Sequence, residues 1–412
     1  MASSRSPSPL KIPKIPRKLS LPSLRRRSST REDSGRRSSA VPVSPYGSDS
    51  KESWGNAPLP PFLKKSRPDV FNTFIDLEWQ QRDRLNAGLQ QSSPPSQWLR
   101  THGPGDPVVR NRYANVEPFE SNRIKLKVSE GENDYINASP IVLGNRRYIS
   151  TQGPKESSVS HFYHMLANET SNTSVVVMLT QTHENNREKC FPYWPSGQDG
   201  PGFEMRLLPD TEDQEEGFEG TVSLISTTED TAAKCTIRRL RLKSRTRRKD
   251  ETQEPAWEQK EIVHLLFGGW PDFAIPEGDD RQALMQLINL SRKLNAFAPP
   301  PRDTSFPPAH IDCSTPAMTD ELNPRIVHCS AGVGRSGTFI ALDHLLTLLD
   351  AGRLDDVPAD IDPIAETVDR LRQQRMMMVQ GDTQFFFLYD ALREAWVNRW
   401  HQRQQSLNQS AA

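Results

Sequence analysis

One stretch, residues 326–338, constrains the fold more than any other part of the chain; it reads IVHCSAGVGRSGT. The β-branched pair Ile326 and Val327 predicts the end of a buried strand, and the apolar run that begins at Phe339 predicts a helix. The Gly-rich turn between them lies where several backbone N–H groups and the positive end of the helix dipole converge. The stretch therefore predicts an α/β fold with an anion-binding site at a strand-to-helix turn.

The turn is open to three functional interpretations. Residues 332–337 spell G-x-G-x-x-G, the pattern of a dinucleotide-binding turn, but no second βαβ half follows in the remaining chain. An ATP-binding Walker loop would need a Lys after Gly337, where Thr338 stands. The third interpretation is a cysteine-based phosphate-transfer site, because Cys329 lies beside a helix N-terminus and Arg335, which both favour a thiolate. The alternative interpretation of Cys329 is a buried thiol that has only a structural role.

The segment HCSAGVGRSGT resembles the signature of the tyrosine-specific protein tyrosine phosphatases. Further blocks resemble the same family in the same order, over about residues 70–400: Asn111–Tyr113, Asp134–Ser139, Tyr148–Pro154, Tyr193–Pro195, Trp270–Phe273 and Met378–Gln384. The resemblance implies a protein tyrosine phosphatase-like fold of the α/β class, in which a twisted mixed β-sheet is flanked by α-helices. It also implies a hydrolase that removes phosphate from tyrosine in proteins and needs neither a cofactor nor a metal.

The resemblance also assigns roles in the reaction. Cys329 would be the nucleophile that forms a phosphocysteine, Asp272 would act as general acid and then as base, and Gln380 would place the attacking water. Ser336 would hydrogen-bond the Cys329 sulfur. The phosphate would be bound by the Arg335 guanidinium and by the backbone of the turn, at Ser330, Ala331, Gly332, Val333 and Gly334.

A second set of residues would shape and support the cleft. Tyr113 would stack on the substrate ring and make the cleft deep enough for phosphotyrosine but too deep for phosphoserine. Asn115 would hold the substrate backbone. Glu184 would orient Arg335; the alternative is that Glu184 is an exposed surface charge with no role in the site. The remaining implied site residues are Gln384, which would line the cleft, and His328, Trp270 and Lys189, which would support it.

Composition divides the chain into a tail and a domain. Residues 1–65 carry 14 basic and 4 acidic side chains, are dense in Ser, Pro and Arg, and lack apolar periodicity, although the full chain has a net charge of zero. This composition predicts a disordered, basic regulatory tail. The catalytic domain is predicted over residues 66–402, with a Pro-rich inserted loop at 299–324, and residues 403–412 are predicted to be a flexible C-terminal tail.

Short motifs in the tail suggest partners and a location. Arg17–Leu21 has the basic-then-apolar shape of a MAP-kinase docking peptide, and patterns such as Arg26–Ser29 and Ser44-Pro45 resemble sites for kinases. The first 31 residues contain no acidic residue, as is typical of a mitochondrial targeting peptide. Five prolines in the same stretch disfavour the amphipathic helix that such a peptide needs. We expect a cytoplasmic protein, with nuclear access as an option, and expect no membrane span and no nucleic-acid partner.

Two alternative functions and one surface question stay open. A dual-specificity phosphatase would have a shallower cleft than Tyr113 implies, and a catalytically dead phosphotyrosine-binding module would have Cys329, Asp272 or Arg335 replaced. Residues 238–249 form a basic hairpin that is either a solvated strand face or a docking patch for an anionic partner.

Overall fold

The computed structural model describes residues 57–101, 107–196, 203–209, 217–247, 254–271, 274–296, 298–301, 304–306 and 321–410. The strands are β1 Ala138–Leu143, β2 Arg146–Thr151, β3 Thr173–Met178, β4 His183–Glu184, β5 Arg187–Glu188, β6 Glu204–Leu207, β7 Gly217–Asp230, β8 Cys235–Arg247, β9 Glu258–Phe267 and β10 Glu321–His328. The helices are α1 Arg67–Leu89, α2 Pro107–Arg110, α3 Val159–Glu169, α4 Asp279–Asn295, α5 Gly334–Asp350, α6 Pro363–Gln374 and α7 Asp382–Ser410. Short 3₁₀ helices span Pro61–Lys64, Glu120–Asn122 and Glu156–Ser158.

Eight of these strands form one mixed sheet in the order β1-β2-β10-β3-β9-β8-β7-β6. The central strand β10 pairs in parallel with β2 and with β3, which in turn pairs in parallel with β9. The pairs β1-β2, β6-β7, β7-β8 and β8-β9 are antiparallel. The predicted α/β fold with a mixed sheet is therefore confirmed. Because β10 is an interior strand, the turn that follows it lies at the carboxyl ends of the parallel strands, between β2 and β3.

Both faces of the sheet are covered, so the central strands are buried without interruption. Val175 and Val177 point into one core, which is built with apolar residues of α1 and α4 to α7, and Val327 of β10 joins them. Val176 and Ile326 point into the opposite core, which contains Phe162 and Leu166 of α3. Successive side chains of a strand face opposite ways, which explains why a continuous Val run suits this position.

The folded part begins before the predicted boundary at residue 66. Phe62 and Leu63 are each 1% exposed and belong to the larger core. The Arg393 Nε atom donates to the Leu63 carbonyl at 2.8 Å, and Trp396 Nε1 donates to the Pro58 carbonyl at 3.1 Å. This segment has no periodicity of its own, and long-range contacts, chiefly with α7, hold it against the domain. The rest of the predicted tail, residues 1–56, lies outside the described residues.

The two other predicted boundaries also shift. Residues 321–324 are not loop but the start of β10, because Glu321 forms ion pairs with Arg146 and Arg325. The rest of the predicted inserted loop is described only at 299–301 and 304–306. Residues 403–410 continue α7, in which residues 403–409 are exposed, so they are not a separate tail. Among the described helices, none is both long and apolar enough to cross a membrane.

Three of the six basic residues of β8 form ion pairs with acids on the neighbouring strands. Arg245 binds Glu219 of β7 at 2.7 Å, and Arg247 binds the same carboxylate at 3.1 Å. Arg239 forms an ion pair with Glu261 of β9, and Arg238 packs over the Trp194 ring at 4.6 Å. These contacts favour the interpretation of a charged strand face over that of a docking patch. Residues 248 and 249 lie outside the described residues.

A buried ion cluster joins β10 to α5, the two elements on either side of the Gly-rich turn. Asp343 of α5 is fully buried and contacts Arg325, Arg292 and the Tyr148 hydroxyl. Burial by itself would raise the pKa of Asp343, but the charges of Arg325, Arg292 and Arg146 outweigh it and hold that pKa well below its usual range. Asp343 is therefore an ionised carboxylate that neutralises the fully buried Arg325 and the partly buried Arg292.

We expect Asp343→Asn to lower the free energy of unfolding by about 3–5 kcal/mol, because the fully buried Arg325 would lose one of its two carboxylate partners and keep only Glu321 among the described residues. Urea denaturation at pH 7 would measure the loss. The exposed Asp360→Asn is the matched control, for which we expect a change within about 0.5 kcal/mol. Because the folded-state pKa of Asp343 is lowered, its contribution is present above about pH 3.9 and is lost as the pH falls below that value. Equal unfolding curves for the two variants would contradict the prediction.

Candidate active site

The catalytic turn is the segment from Cys329 to Val333, between the end of β10 and the start of α5. Gly332 adopts φ 68°, and a Cβ atom there would lie 2.1 Å from the Thr151 carbonyl oxygen. Only glycine fits this position, for reasons of both backbone conformation and space. The Gly332 N–H group points at the Cys329 sulfur, with an N to Sγ distance of 3.3 Å. The glycines thus serve to wrap the backbone around the thiol.

Cys329 is buried at the bottom of this turn, with 5% of its surface exposed. Burial alone would raise the pKa of the Cys329 thiol, but interactions with the Ser336 hydroxyl, the Arg335 charge and the backbone N–H groups of Ser336 and Val333 lower it overall. Among the described residues, the Ser336 hydroxyl has no hydrogen bond of regular geometry, and the thiolate is the group with which it interacts. The other described cysteines, Cys190 and Cys235, are buried thiols whose pKa is raised.

We expect iodoacetate to inactivate the protein with a midpoint below about pH 8.5, the ordinary value for a thiol, because only the thiolate reacts and the pKa of Cys329 is lowered. The rate should rise with pH up to that midpoint and then level off. Ser336→Ala should move the midpoint to higher pH, since it removes an interaction that favours the thiolate. The alkylation rate measured against pH, with Cys329→Ser to identify the modified residue, tests both statements. A midpoint at or above that of free cysteine would contradict them.

Arg335 is held in place by a two-pronged ion pair. Its Nη1 and Nη2 atoms donate to the two carboxylate oxygens of Glu184 at 2.6 and 2.8 Å, and Nη1 also donates to the Leu179 carbonyl at 3.0 Å. The Glu184 side chain is 9% exposed, which excludes the alternative of a free surface charge. Two parallel bonds between planar groups fix the orientation of both. Arg335 is therefore pre-oriented toward the turn.

A tight hairpin explains how Glu184 reaches Arg335. β4 and β5 are joined by Asn185 and Asn186, which adopt φ 51° and 57°. Two left-handed residues make the turn that suits a two-residue hairpin, and asparagine tolerates this conformation. Lys189, just after β5, lies with its Nζ atom 4.0 Å from the Glu184 carboxylate. The two asparagines thus allow the tight turn that places Glu184 next to Arg335.

A cleft of about 250 Å³ opens above the turn, and it gathers most of the predicted site residues. The Tyr113 hydroxyl forms a hydrogen bond of 2.8 Å with the Ser330 hydroxyl, which donates to the Lys189 carbonyl. The Gln380 N–H group donates to Gln384 Oε1 at 3.1 Å. The lining consists of Tyr113, Asn115, Val116, Lys189, Cys329, Ser330, Ala331, Gly334, Arg335, Gln380 and Gln384.

Two predicted residues support the site from outside the cleft. His328 is fully buried, and burial lowers its pKa to about 4, so the ring is neutral and hydrogen-bonds the Tyr193 hydroxyl at 2.7 Å. Trp270 is buried, and its Nε1 atom donates to the Ala274 carbonyl at 3.0 Å, across the loop that contains Asp272. Asp272 itself lies outside the described residues.

Arg375 belongs to the site and was not predicted. It is fully buried, and it donates through Nε to the Gly332 carbonyl at 2.8 Å and through Nη2 to the Ala331 carbonyl at 3.1 Å. Carbonyls held by Arg375 point away from the cleft, which leaves the N–H groups of the turn free to point into it. Within the sequence, Arg375 is one cation beside a run of methionines. Its position five residues before Gln380 is the only signal that could have singled it out.

Among the described residues, no group of three His, Cys, Asp or Glu side chains is arranged to hold a metal ion. The arrangement instead offers a buried thiol whose pKa is lowered, a clamped guanidinium and a set of backbone donors. These groups suit a tetrahedral dianion, which the thiolate could attack while the donors surround its oxygens.

Comparison with known proteins gives the family. The protein-tyrosine phosphatase family model matches residues 108–394. Tyrosine-protein phosphatase 2 of Schizosaccharomyces pombe is 33% identical over 288 residues, which is 69% of this chain and 33% of that protein. Tyrosine-protein phosphatase 1 of Saccharomyces cerevisiae is 31% identical over 365 residues, 81% of this chain and 96% of that protein. The chain belongs to the protein-tyrosine phosphatase family, as the sequence motifs predicted.

Solved structures agree in fold. The catalytic domain of human protein tyrosine phosphatase non-receptor type 18 has a TM-score of 0.53 and 23% identity, over 79% of this chain and 96% of that chain. This chain spans about a third of the length of the fission yeast relative.

Proposed function

We propose that this protein hydrolyses phosphotyrosine in other proteins through a phosphocysteine intermediate. The observation that carries the proposal is that one cleft is lined by the buried Cys329, by the half-buried Tyr113 and by Arg335, which Glu184 holds from outside the cleft. A cleft with the nucleophile at its base favours a long phosphoaryl side chain over the short one of phosphoserine. This depth argues against a dual-specificity phosphatase.

In the first step, the Cys329 thiolate attacks phosphorus, and the bond from phosphorus to the tyrosine oxygen breaks. The leaving phenolate takes the proton of the Asp272 carboxylic acid. The role of Asp272 rests on the Trp-Pro-Asp block, which resembles that of the family. Arg335 and the backbone N–H groups of the turn stabilise the charge on the three oxygens that do not leave.

In the second step, water attacks phosphorus and the bond from sulfur to phosphorus breaks. Gln380, at the edge of the cleft, would orient this water, and the Asp272 carboxylate would take its proton. The departing thiolate is stabilised by the Ser336 hydroxyl and by the Arg335 charge, the same groups that lower its pKa. Inorganic phosphate is released and the thiolate is restored.

Hydrolysis of matched peptides tests this function. The full chain should release phosphate from a phosphotyrosyl peptide at least about 10³-fold faster than from the same peptide with phosphoserine, because the shorter side chain cannot bring its phosphorus to the sulfur. EDTA should leave the rate unchanged. Comparable rates for both peptides would favour a dual-specificity enzyme. Binding of the phosphotyrosyl peptide without phosphate release would favour a phosphotyrosine-binding module.

For the physiological substrate, we propose a MAP kinase that docks on Arg17–Leu21, and we propose that kinases modify the serines of the same tail. The support is the sequence pattern alone. Asp272→Ala should bind substrate and release it slowly, so it can capture the substrate from a lysate. When residues 1–56 are deleted from this variant, it should no longer capture the kinase. The same deletion in the wild-type protein should leave its activity on a small aryl phosphate unchanged. The deletion must not extend to residue 65, because Phe62 and Leu63 belong to the core.

A further inference from the structure

The turn that carries Gln380 has an unusual backbone. Met377 and Val379 adopt φ 61° and 57°, the left-handed region that residues with side chains rarely occupy. Neither residue is a glycine or an asparagine, so this conformation costs free energy and persists only where surrounding contacts enforce it. Such strain is common where a turn must present a functional group in one orientation. The contacts of residues 376–380, the glutamine turn, therefore matter to Gln380.

Helix α6 and the catalytic turn both form hydrogen bonds with the glutamine turn. Arg372 of α6 is fully buried and donates to the carbonyls of Met378 and Val379, at 3.0 Å each. The Val379 N–H group donates to the Val333 carbonyl of the catalytic turn at 3.2 Å. These bonds hold the last part of the glutamine turn against α5 but leave the Met377 N–H group to another partner.

That partner is Gln81 of α1, whose Oε1 atom accepts from the Met377 N–H group at 2.6 Å. Gln81 is 8% exposed and continues the buried face of α1 formed by Val70, Phe74 and Leu77. A polar side chain on an otherwise apolar face calls for a reason, because burying an amide without a partner is costly. The Met377 N–H group supplies that reason.

A second residue of α1 acts on the same turn. Glu78, three residues before Gln81, forms an ion pair with Arg372, with an oxygen to Nη2 distance of 2.8 Å. One face of α1 thus holds the glutamine turn both directly and through Arg372. α1 ends at Leu89, before the residues that the family model matches.

We propose that Gln81 is a positioning residue for the second step of the reaction, and that it acts by holding Met377, and thereby Gln380, where water is oriented toward the phosphocysteine. The inference rests on the proposed role of Gln380. Because phosphocysteine formation uses Cys329, Arg335 and Asp272, loss of Gln81 should spare that step and slow the hydrolysis that follows.

Rapid-mixing kinetics with para-nitrophenyl phosphate on the full chain separates the two steps. The initial burst gives the rate of phosphocysteine formation, and the steady state gives the rate of its hydrolysis. Gln81→Met keeps the size of the side chain and removes the acceptor, and we expect about tenfold slower steady-state turnover with a burst rate within about twofold of the wild type. Gln81→Glu restores an acceptor oxygen and should return turnover to within about twofold of the wild type. The burst amplitude counts the folded enzyme, so the steady-state rate divided by that amplitude is a rate constant that partial unfolding does not change.

Gln380→Ala, run in parallel, tells the two proposals apart. We expect it to slow hydrolysis at least as much as Gln81→Met does, again with the burst rate kept. If Gln380→Ala slows hydrolysis and Gln81→Met does not, the inference about Gln81 is wrong and the role of Gln380 stands. Equal slowing of burst and steady state in Gln81→Met means a merely structural contact and also overturns the inference. If Gln380→Ala leaves hydrolysis unchanged, the proposed role of Gln380 fails and the inference fails with it.

Discussion

Cys329→Ser is expected to lower the turnover of para-nitrophenyl phosphate by more than about 10⁴-fold. The reason is the ionisation of the nucleophile. The pKa of the thiol is lowered by the Ser336 hydroxyl and the Arg335 charge, whereas a serine hydroxyl at the same place stays protonated at neutral pH. Steady-state turnover and mass spectrometry of the quenched enzyme would measure the loss, since the phosphocysteine adduct should vanish as well.

The cysteine variant should still bind substrate, because Arg335 and the backbone donors are unchanged. Cys235→Ser is the matched control: this thiol is also buried, and its raised pKa of about 12 keeps it protonated and inert. We expect its turnover to stay within about threefold of the wild type. Turnover in Cys329→Ser within a factor of about 100 of the wild type would exclude a thiolate mechanism.

Arg335→Lys is expected to lower kcat/KM by about 10³-fold, although it preserves the positive charge. Lysine cannot form the two parallel bonds to Glu184 at 2.6 and 2.8 Å and still offer donors to two phosphate oxygens. The clamp would be lost, and with it the alignment of charge toward the transferring phosphoryl group. Steady-state kinetics on a phosphotyrosyl peptide would measure the change.

Two further variants show whether geometry or charge is responsible. Arg239→Lys, in a half-exposed ion pair on β8, should leave kcat/KM within about twofold of the wild type. Glu184→Gln keeps one acceptor for Arg335, so we expect a smaller loss, of about tenfold. If Arg335→Lys retained near wild-type efficiency, charge alone would explain the role of Arg335 and the two-pronged clamp would be irrelevant.

The catalytic turn could be predicted from the sequence because its chemistry is local. The strand end, the glycine at a left-handed position, the thiol and the guanidinium all lie within residues 326–338. The strand β10, the turn and the helix α5 follow that pattern, because each residue's preference agrees with its neighbours'. Glu184 and Tyr113 lie far away in the chain, and only their place in family-like blocks linked them to Arg335 and Cys329.

Residues that act through buried polar contacts escaped prediction. For Arg375, Arg325 and Gln81, nothing in the local sequence says which carbonyl, carboxylate or N–H group they meet. Their partners are supplied by segments far off in the chain, such as the Gly332 carbonyl for Arg375 and the Met377 N–H group for Gln81. The order of Phe62 and Leu63 is a similar case, since it depends on contacts with α7.

The sequence by itself therefore determined the class of fold and the family, and it predicted the nucleophile and the phosphate-binding turn. Short-range patterns carry this information, because strand, turn and helix preferences and the pKa of a thiol depend mainly on near neighbours in the chain. The tertiary structure alone decided how Arg335 is clamped, how the carbonyls of the turn are held by Arg375 and how α1 reaches the glutamine turn. Those arrangements depend on hydrogen bonds between buried polar groups that are far apart in the chain. Such groups need partners only because folding removes them from water, so their local sequence does not show which partners they have.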